Sequence, residues 1–204
     1  MKFFNKKKKQ PSKHLCPHSF APRIEYIAPP SIPQIYISLQ AHKDMCTLID
    51  MVDTEVGWEG TVERNGNTFL IKEIFLMEQL AHETTTIITT EGQSNLGMEI
   101  FDTRGEEAMD ILNELRFWGH SHVYMGTSPS AQDNTQMELF QTEGVEFFIR
   151  GIGNKHGRLD FTVYLYDKGV IVYDVPWYLY NPGIVDADYE KWDKEITKKV
   201  TYKK

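Results

Sequence analysis

His120 and His122 stand two residues apart in the run Phe117-Trp118-Gly119-His120-Ser121-His122-Val123, and Ser130 and Asp133 follow closely. Residues two apart on a strand project from the same face, so both imidazoles address one point. A helix beginning at Pro129 with Ser128 as its N-cap would place Ser130 and Asp133 three apart in its first turn, on a shared face. The end of a strand and the start of the next helix can therefore converge. Two neutral imidazoles and one carboxylate are ligands that suit Zn²⁺. Three protein ligands leave a fourth tetrahedral position for water, as in a catalytic rather than a structural site. The helix N-terminus favours the ionised form of Asp133, which is the form that binds metal.

Other chemistry-bearing residues are read more plainly. His14-Leu-Cys16-Pro-His18 holds three potential ligands, but it lies in a proline-rich lead-in with no second half to complete it. His42, His82 and His156 read as surface residues, and Ser121, between the two ligands, points to the opposite face as a backbone-bonding serine. There is no His-Glu-x-x-His, no Cys-x-x-Cys pair and no phosphate-binding Gly-x4-Gly-Lys. Gly119-His-Ser121-His lacks the closing glycine of a nucleophile elbow.

His120-Ser-His122, seven residues, Ser130, two residues, Asp133 resembles the JAMM motif of the JAB/MPN (Mov34/MPN/PAD-1) metalloprotease superfamily. All four positions match without a gap, and the resemblance covers roughly residues 35–175. It implies a mixed β-sheet flanked by helices and a zinc ion on His120, His122 and Asp133. It also implies a serine, here Ser130, that hydrogen-bonds the oxyanion, and a glutamate after the first helix that acts as general acid and base. Glu55, the first glutamate after that helix, takes this role. Its glycines follow at tighter spacing than in the family, and period-2 alternation puts Glu59 and Asp53 on the same face as alternatives. The implied activity is zinc-dependent hydrolysis of a peptide or isopeptide bond, with a protein or peptide partner, first of all the tail of a ubiquitin-like protein. The same superfamily contains metal-free scaffolds, the rival expectation for this chain.

The elements that would position these residues are legible in part. Ile35–Leu39 reads as a strand and Gln40–Val52 as an amphipathic helix. Glu55–Val62 and Phe69–Met77 flank the turn Asn65-Gly66-Asn67 as a hairpin. Thr84–Thr90 reads as a third strand, and Thr103 as the cap of a helix over Gly105–Arg116, with Glu106 completing a capping box. After the histidine strand come a helix from Pro129 to Phe140 and strands at Glu146–Ile152, Leu159–Tyr166 and Val170–Val175. The last segment, Asp186–Val200, reads as a helix. Trp177, Tyr178, Tyr180, Tyr189 and Trp192 read as ordinary packing of that terminal segment. The pattern is α+β with a mixed sheet. Residues 1–33 form a proline-rich tail expected to be disordered, 34–180 the domain, and 181–204 a C-terminal segment.

The chain has 204 residues, enough for one full hydrophobic core. Its net charge of −7 conceals an asymmetry: six lysines fall in the first 13 residues and six in residues 191–204. That leaves 10 basic and 27 acidic residues between positions 14 and 190, a net of −17. A body of that sign argues against a nucleic-acid partner. No apolar run reaches the ~18 residues of a membrane span, and none near the N-terminus makes a secretory signal. With two cysteines only, Cys16 and Cys46, the composition fits the cytoplasm.

Overall fold

The computed structural model describes residues 32–82, 85–142, 144–180 and 188–202. In chain order the elements are β1 (Gln34–Ser38), α1 (Leu39–Met51), β2 (Gly57–Asn65), β3 (Thr68–Leu76), β4 (Gln79–His82) and β5 (Thr85–Ile88). Then follow α2 (Thr90–Arg104), a 3-10 turn at Gly105–Glu107, α3 (Ala108–Glu114), β6 (Leu115–Ser121) and α4 (Ala131–Leu139). The chain continues through β7 (Phe147–Gly153), β8 (Leu159–Leu165), β9 (Val170–Val172), β10 (Trp177–Tyr180), α5 (Tyr189–Lys199) and β11 (Val200–Tyr202).

Among the described residues, eight strands form one mixed sheet in the order β10-β1-β3-β2-β6-β7-β8-β9. β6 lies inside it, antiparallel to β2 and parallel to β7. The fold is α+β, as the sequence pattern indicates. Alternation along the strands feeds two layers. Ile35, Ile37, Trp58, Phe69, Phe117, Ile149 and Phe161 point to the side covered by α1 and α5, where Met45, Leu48, Trp192 and Ile196 complete the main core. Trp118, one residue beyond Phe117, points to the opposite side and packs with Met137 of α4, Phe148 and Tyr164. On that same side α2 and α3 contribute Leu96, Ile100, Ala108 and Ile111 to a smaller cluster under Met77.

Several boundaries differ from the pattern reading. The Thr/Ile-rich segment is β5, but it pairs with β4 in a separate sheet of order β11-β4-β5, not with the hairpin. No helix is capped at Thr103. That residue lies inside α2, its hydroxyl donating to the Glu99 carbonyl at 2.7 Å. α2 is capped by Thr89, whose Oγ1 accepts from Gly92 N at 2.9 Å, and it ends where Gly105 takes φ +56°. α3 then begins at Ala108 without a side-chain cap. The C-terminal helix is shorter than expected because Val200–Tyr202 leaves it to pair with β4, and the strand at Val170 stops at Val172. Trp177 donates from Nε1 to the Leu159 carbonyl (3.0 Å) and Trp192 to Asp44 (2.8 Å), while Tyr178, Tyr180 and Tyr189 are exposed. The tail assigned to residues 1–33 falls almost wholly outside the described residues. No described helix is long and apolar enough to cross a membrane.

Candidate metal centre

β6 carries Trp118 and His120 on the α4 side, and the chain leaves the strand at Ser121. His122 lies one residue past the strand end but stays in line, because its N–H donates to the Gly153 carbonyl at the end of β7 (2.8 Å). The turn that follows is tight. Val123 adopts φ +44°, a left-handed conformation that costs a β-branched residue on the order of 1–3 kcal/mol. The Val123 carbonyl accepts from Lys155 N at 2.7 Å, and the His122 carbonyl from Met125 N at 2.7 Å, so the strained turn is pinned from two sides.

α4 starts two residues later than the pattern suggests. Ser130, not Ser128, is its N-cap, and Ala131 its first residue. The reason is a reciprocal cap: Ser130 Oγ accepts from Asp133 N (3.2 Å) while Asp133 Oδ2 accepts from Ser130 N (2.6 Å). Asp133 is therefore oriented by its own helix before it meets any ligand, and Ser130, exposed at the helix start, retains its hydroxyl proton for donation.

The three predicted ligands converge. His120 Nε2 lies 3.0 Å from His122 Nε2 and 3.2 Å from Asp133 Oδ1, and His122 Nε2 lies 3.7 Å from Asp133 Oδ2. Ligand atoms about 2.0–2.2 Å from a tetrahedral zinc are about 3.3–3.6 Å apart; the closest approaches here lie on either side of that span, with the two histidines facing different oxygens of Asp133, and one ligand atom from each residue falls within 4.8 Å of the others. All three residues are buried. His122 Nδ1 is 2.7 Å from the Gly126 carbonyl, which can only accept; Nδ1 therefore carries a proton, and in the neutral ring Nε2 turns its lone pair to the centre. His120 stacks on Trp118 with ring centroids 4.6 Å apart, and its Nδ1 has no partner.

Electrostatics favour a cation here. Burial opposes ionisation of Asp133, but hydrogen bonds from His120 and His122 and the Ser130 amide overcome it and hold its carboxyl well below the ordinary range. Burial keeps His120 neutral by lowering its pKa. Burial also works against the charged form of His122, yet the hydrogen bonds to Asp133 and Gly126 and the charge of Glu55 raise its pKa. The low pKa of Asp133 and the raised pKa of His122 both reflect negative charge gathered at this point, which a cation would also meet.

The three acidic candidates for the base separate. β2 begins only at Gly57, so strand alternation does not govern Asp53 and Glu55. Asp53 is exposed and paired with Lys155 Nζ at 2.8 Å. Glu59 is buried opposite Trp118 and accepts from Gln93 Nε2 at 3.1 Å; burial raises its pKa. Glu55 is 4% exposed and interacts electrostatically with both His122 and Asp133. Burial, offset in part by His122 and reinforced by Asp133, pushes its pKa up to about 7.

The segment bearing Glu55 is fastened to the histidine strand by residues the sequence pattern does not single out as functional. Ser121 Oγ accepts from Val56 N (3.1 Å), and Ser121 N donates to the Val56 carbonyl (2.9 Å), which bears out the backbone-bonding role expected of this serine. Gln79 grips the next residue: Gly57 N donates to its Oε1 (2.7 Å) and its Nε2 donates to the Gly57 carbonyl (2.8 Å). Asn154, buried in the turn after β7, donates to the Met125 carbonyl at 2.8 Å and so fixes the loop between the histidines and α4. Ser121 and Asn154, the latter in a turn-forming run, leave a trace in the sequence; Gln79 falls between the two strands the pattern predicts and leaves none.

The arrangement can hold a divalent metal through two imidazoles and a carboxylate, with a second carboxylate of near-neutral pKa and a free hydroxyl donor beside it. No known family model matches the chain, and no curated protein matches it significantly.

Proposed function

We propose that the protein is a zinc-dependent hydrolase of peptide or isopeptide bonds and a member of the JAB/MPN superfamily. The observation that carries this reading is the convergence of buried His120, His122 and Asp133, with one candidate ligand atom from each within 4.8 Å of the others, and Glu55 interacting electrostatically with His122 and Asp133. Zinc on these three residues would supply a Lewis acid that polarises a carbonyl and lowers the pKa of water toward ~7. Glu55, with its raised pKa, accepts the water's proton near neutral pH and later returns it to the leaving amine. Ser130 donates its hydroxyl proton to the developing oxyanion, a contribution worth on the order of 10²–10³ in rate for one such donor elsewhere. Trp118 and the buried face of β6 exclude water from behind His120. The partner is a protein or peptide, with the tail of a ubiquitin-like protein as the first class to try.

Zinc content by mass spectrometry tests the centre. The expected result is about one zinc per wild-type chain and none in Asp133→Ala. Glu55→Gln should keep the zinc and lose hydrolysis at least a hundredfold. Zinc absent from wild-type protein after metal addition would overturn the hydrolase and leave a scaffold or binding module. Full activity in Glu55→Gln would remove Glu55 as the base.

A further inference from the structure

Arg150 lies in the middle of β7, opposite Trp118 of β6, with Ile152 opposite His120. It is 1% exposed, among the largest fully buried side chains of the molecule. Burying a guanidinium is costly and is ordinarily compensated by a carboxylate. Among the described residues Arg150 has no ion pair. Its Nη1 donates to the neutral Oδ1 of Asn134 at 2.9 Å, its Nη2 has no hydrogen-bond partner, and its guanidinium carbon lies 5.4 Å from the centre of the Tyr164 ring. A methionine could reach from β7 toward the Tyr164 ring without a buried charge, so packing alone does not account for an arginine.

Its hydrogen bond to Asn134 ends on the residue after Asp133. α4 has nine residues and buries only Asp133 and Met137. The Tyr166 hydroxyl holds its C-terminal half by donating to the Met137 carbonyl at 2.7 Å. The N-terminal half has Asp133's own contacts with the histidines and the bond from Arg150. A planar guanidinium is a directional donor on a reach long enough to cross from the sheet to the helix.

We propose that Arg150 is a positioning residue for the metal centre: from the strand beside β6 it tethers Asn134 and sets the distance between the histidine strand and the Asp133 helix. The inference rests on the metal-centre reading above. Metal sites lose function when a ligand drifts by about 0.5 Å, and the partners that orient ligands commonly matter ten- to a hundredfold in metal affinity.

The test measures the zinc dissociation constant by competition with a chromophoric chelator, and the absorption spectrum of the cobalt(II) form, whose bands report ligand geometry. Asn134 is exposed, so Asn134→Ala removes the tether without touching the core. The expected result is about tenfold weaker zinc binding and altered cobalt bands in Asn134→Ala. Arg150→Met should do the same, and the double variant should add less than about twofold to it. Leu139→Ala, 67% exposed on the same helix, should match wild type. Should Arg150→Met fail to fold, Asn134→Ala decides alone. Wild-type affinity and an unchanged cobalt spectrum in Asn134→Ala would overturn the proposal. Failure of the wild type to bind either ion would remove the metal centre itself and this inference with it, a distinct outcome.

Discussion

Gly119 separates Trp118 from His120, and its replacement by alanine measures how tightly the histidine strand is held. It lies directly opposite Trp58 across the β2–β6 ladder. A Cβ at Gly119 would press on the Trp58 indole nitrogen, 2.5 Å from Cε2 and 2.9 Å from Cζ2. Ordinary carbon contacts begin near ~3.5 Å, so about 1 Å of movement is required. Trp58 is wholly buried in the main core and has no empty side to move toward, and β6 is held by ladders on both edges. Overpacking of this kind costs typically 1–3 kcal/mol, and the rigidity of both partners places this case near ~3 kcal/mol. With a urea slope of about 2 kcal/mol/M, the midpoint of unfolding should fall by about 1.5 M. The assay is urea unfolding of chelator-treated wild type and Gly119→Ala, followed by tryptophan fluorescence, so that zinc binding does not enter. A midpoint within about 0.3 M of wild type would refute the argument and show that the strand yields where the packing says it cannot.

Two further outcomes are expected. Glu55 has a pKa of about 7 when folded, against about 4.3 unfolded, so its contribution to metal-free stability is complete below pH ~4 and is lost as pH rises through 7. Metal-free Glu55→Gln should therefore unfold at a higher temperature than wild type at pH 8 and at the same temperature at pH 4; a gap that widens on acidification would contradict the assignment. Gln79→Met strips the Gly57 amide and carbonyl of their side-chain partners and should cost about 2–4 kcal/mol in chemical unfolding, a loss under about 0.5 kcal/mol counting against the clamp.

The cluster that could hold a metal was legible because its chemistry is local. His120 and His122 share a strand face, and Ser130 and Asp133 share a helix turn, so spacing alone brings them near. β1, α1 and the first hairpin followed from clean periodicity and a good turn. α2 was not legible: its stripe is only Leu96 and Ile100, it contains Gly92 and Gly97, and its polar face carries no heptad-like signal. The α4 start was misplaced by two residues because Ser128-Pro129 is a fair cap signal, and only the reciprocal bonds between Ser130 and Asp133 decide against it. The short strands β4, β10 and β11 exist through pairing across the chain, which no local pattern reveals. Arg150 is invisible for the same reason: a basic residue in a strand says nothing of the helix it will reach.

The place of β6 inside the sheet has a consequence for motion. Its amides are locked into ladders with β2 and β7, so the backbone around His120 should open to solvent exchange only when the whole domain unfolds. Residues 53–55, by contrast, donate no backbone hydrogen bond among the described residues; they are held by the exposed Asp53–Lys155 pair, by a long bond from Ser121 Oγ to the Thr54 carbonyl at 3.5 Å, and by the clip at Val56 and Ser121. They can open locally at far lower cost. The centre is thus divided: His120 rides on a strand that exchanges slowly, and Glu55 on a segment that exchanges fast, so hydrogen exchange should separate the two sides of one site.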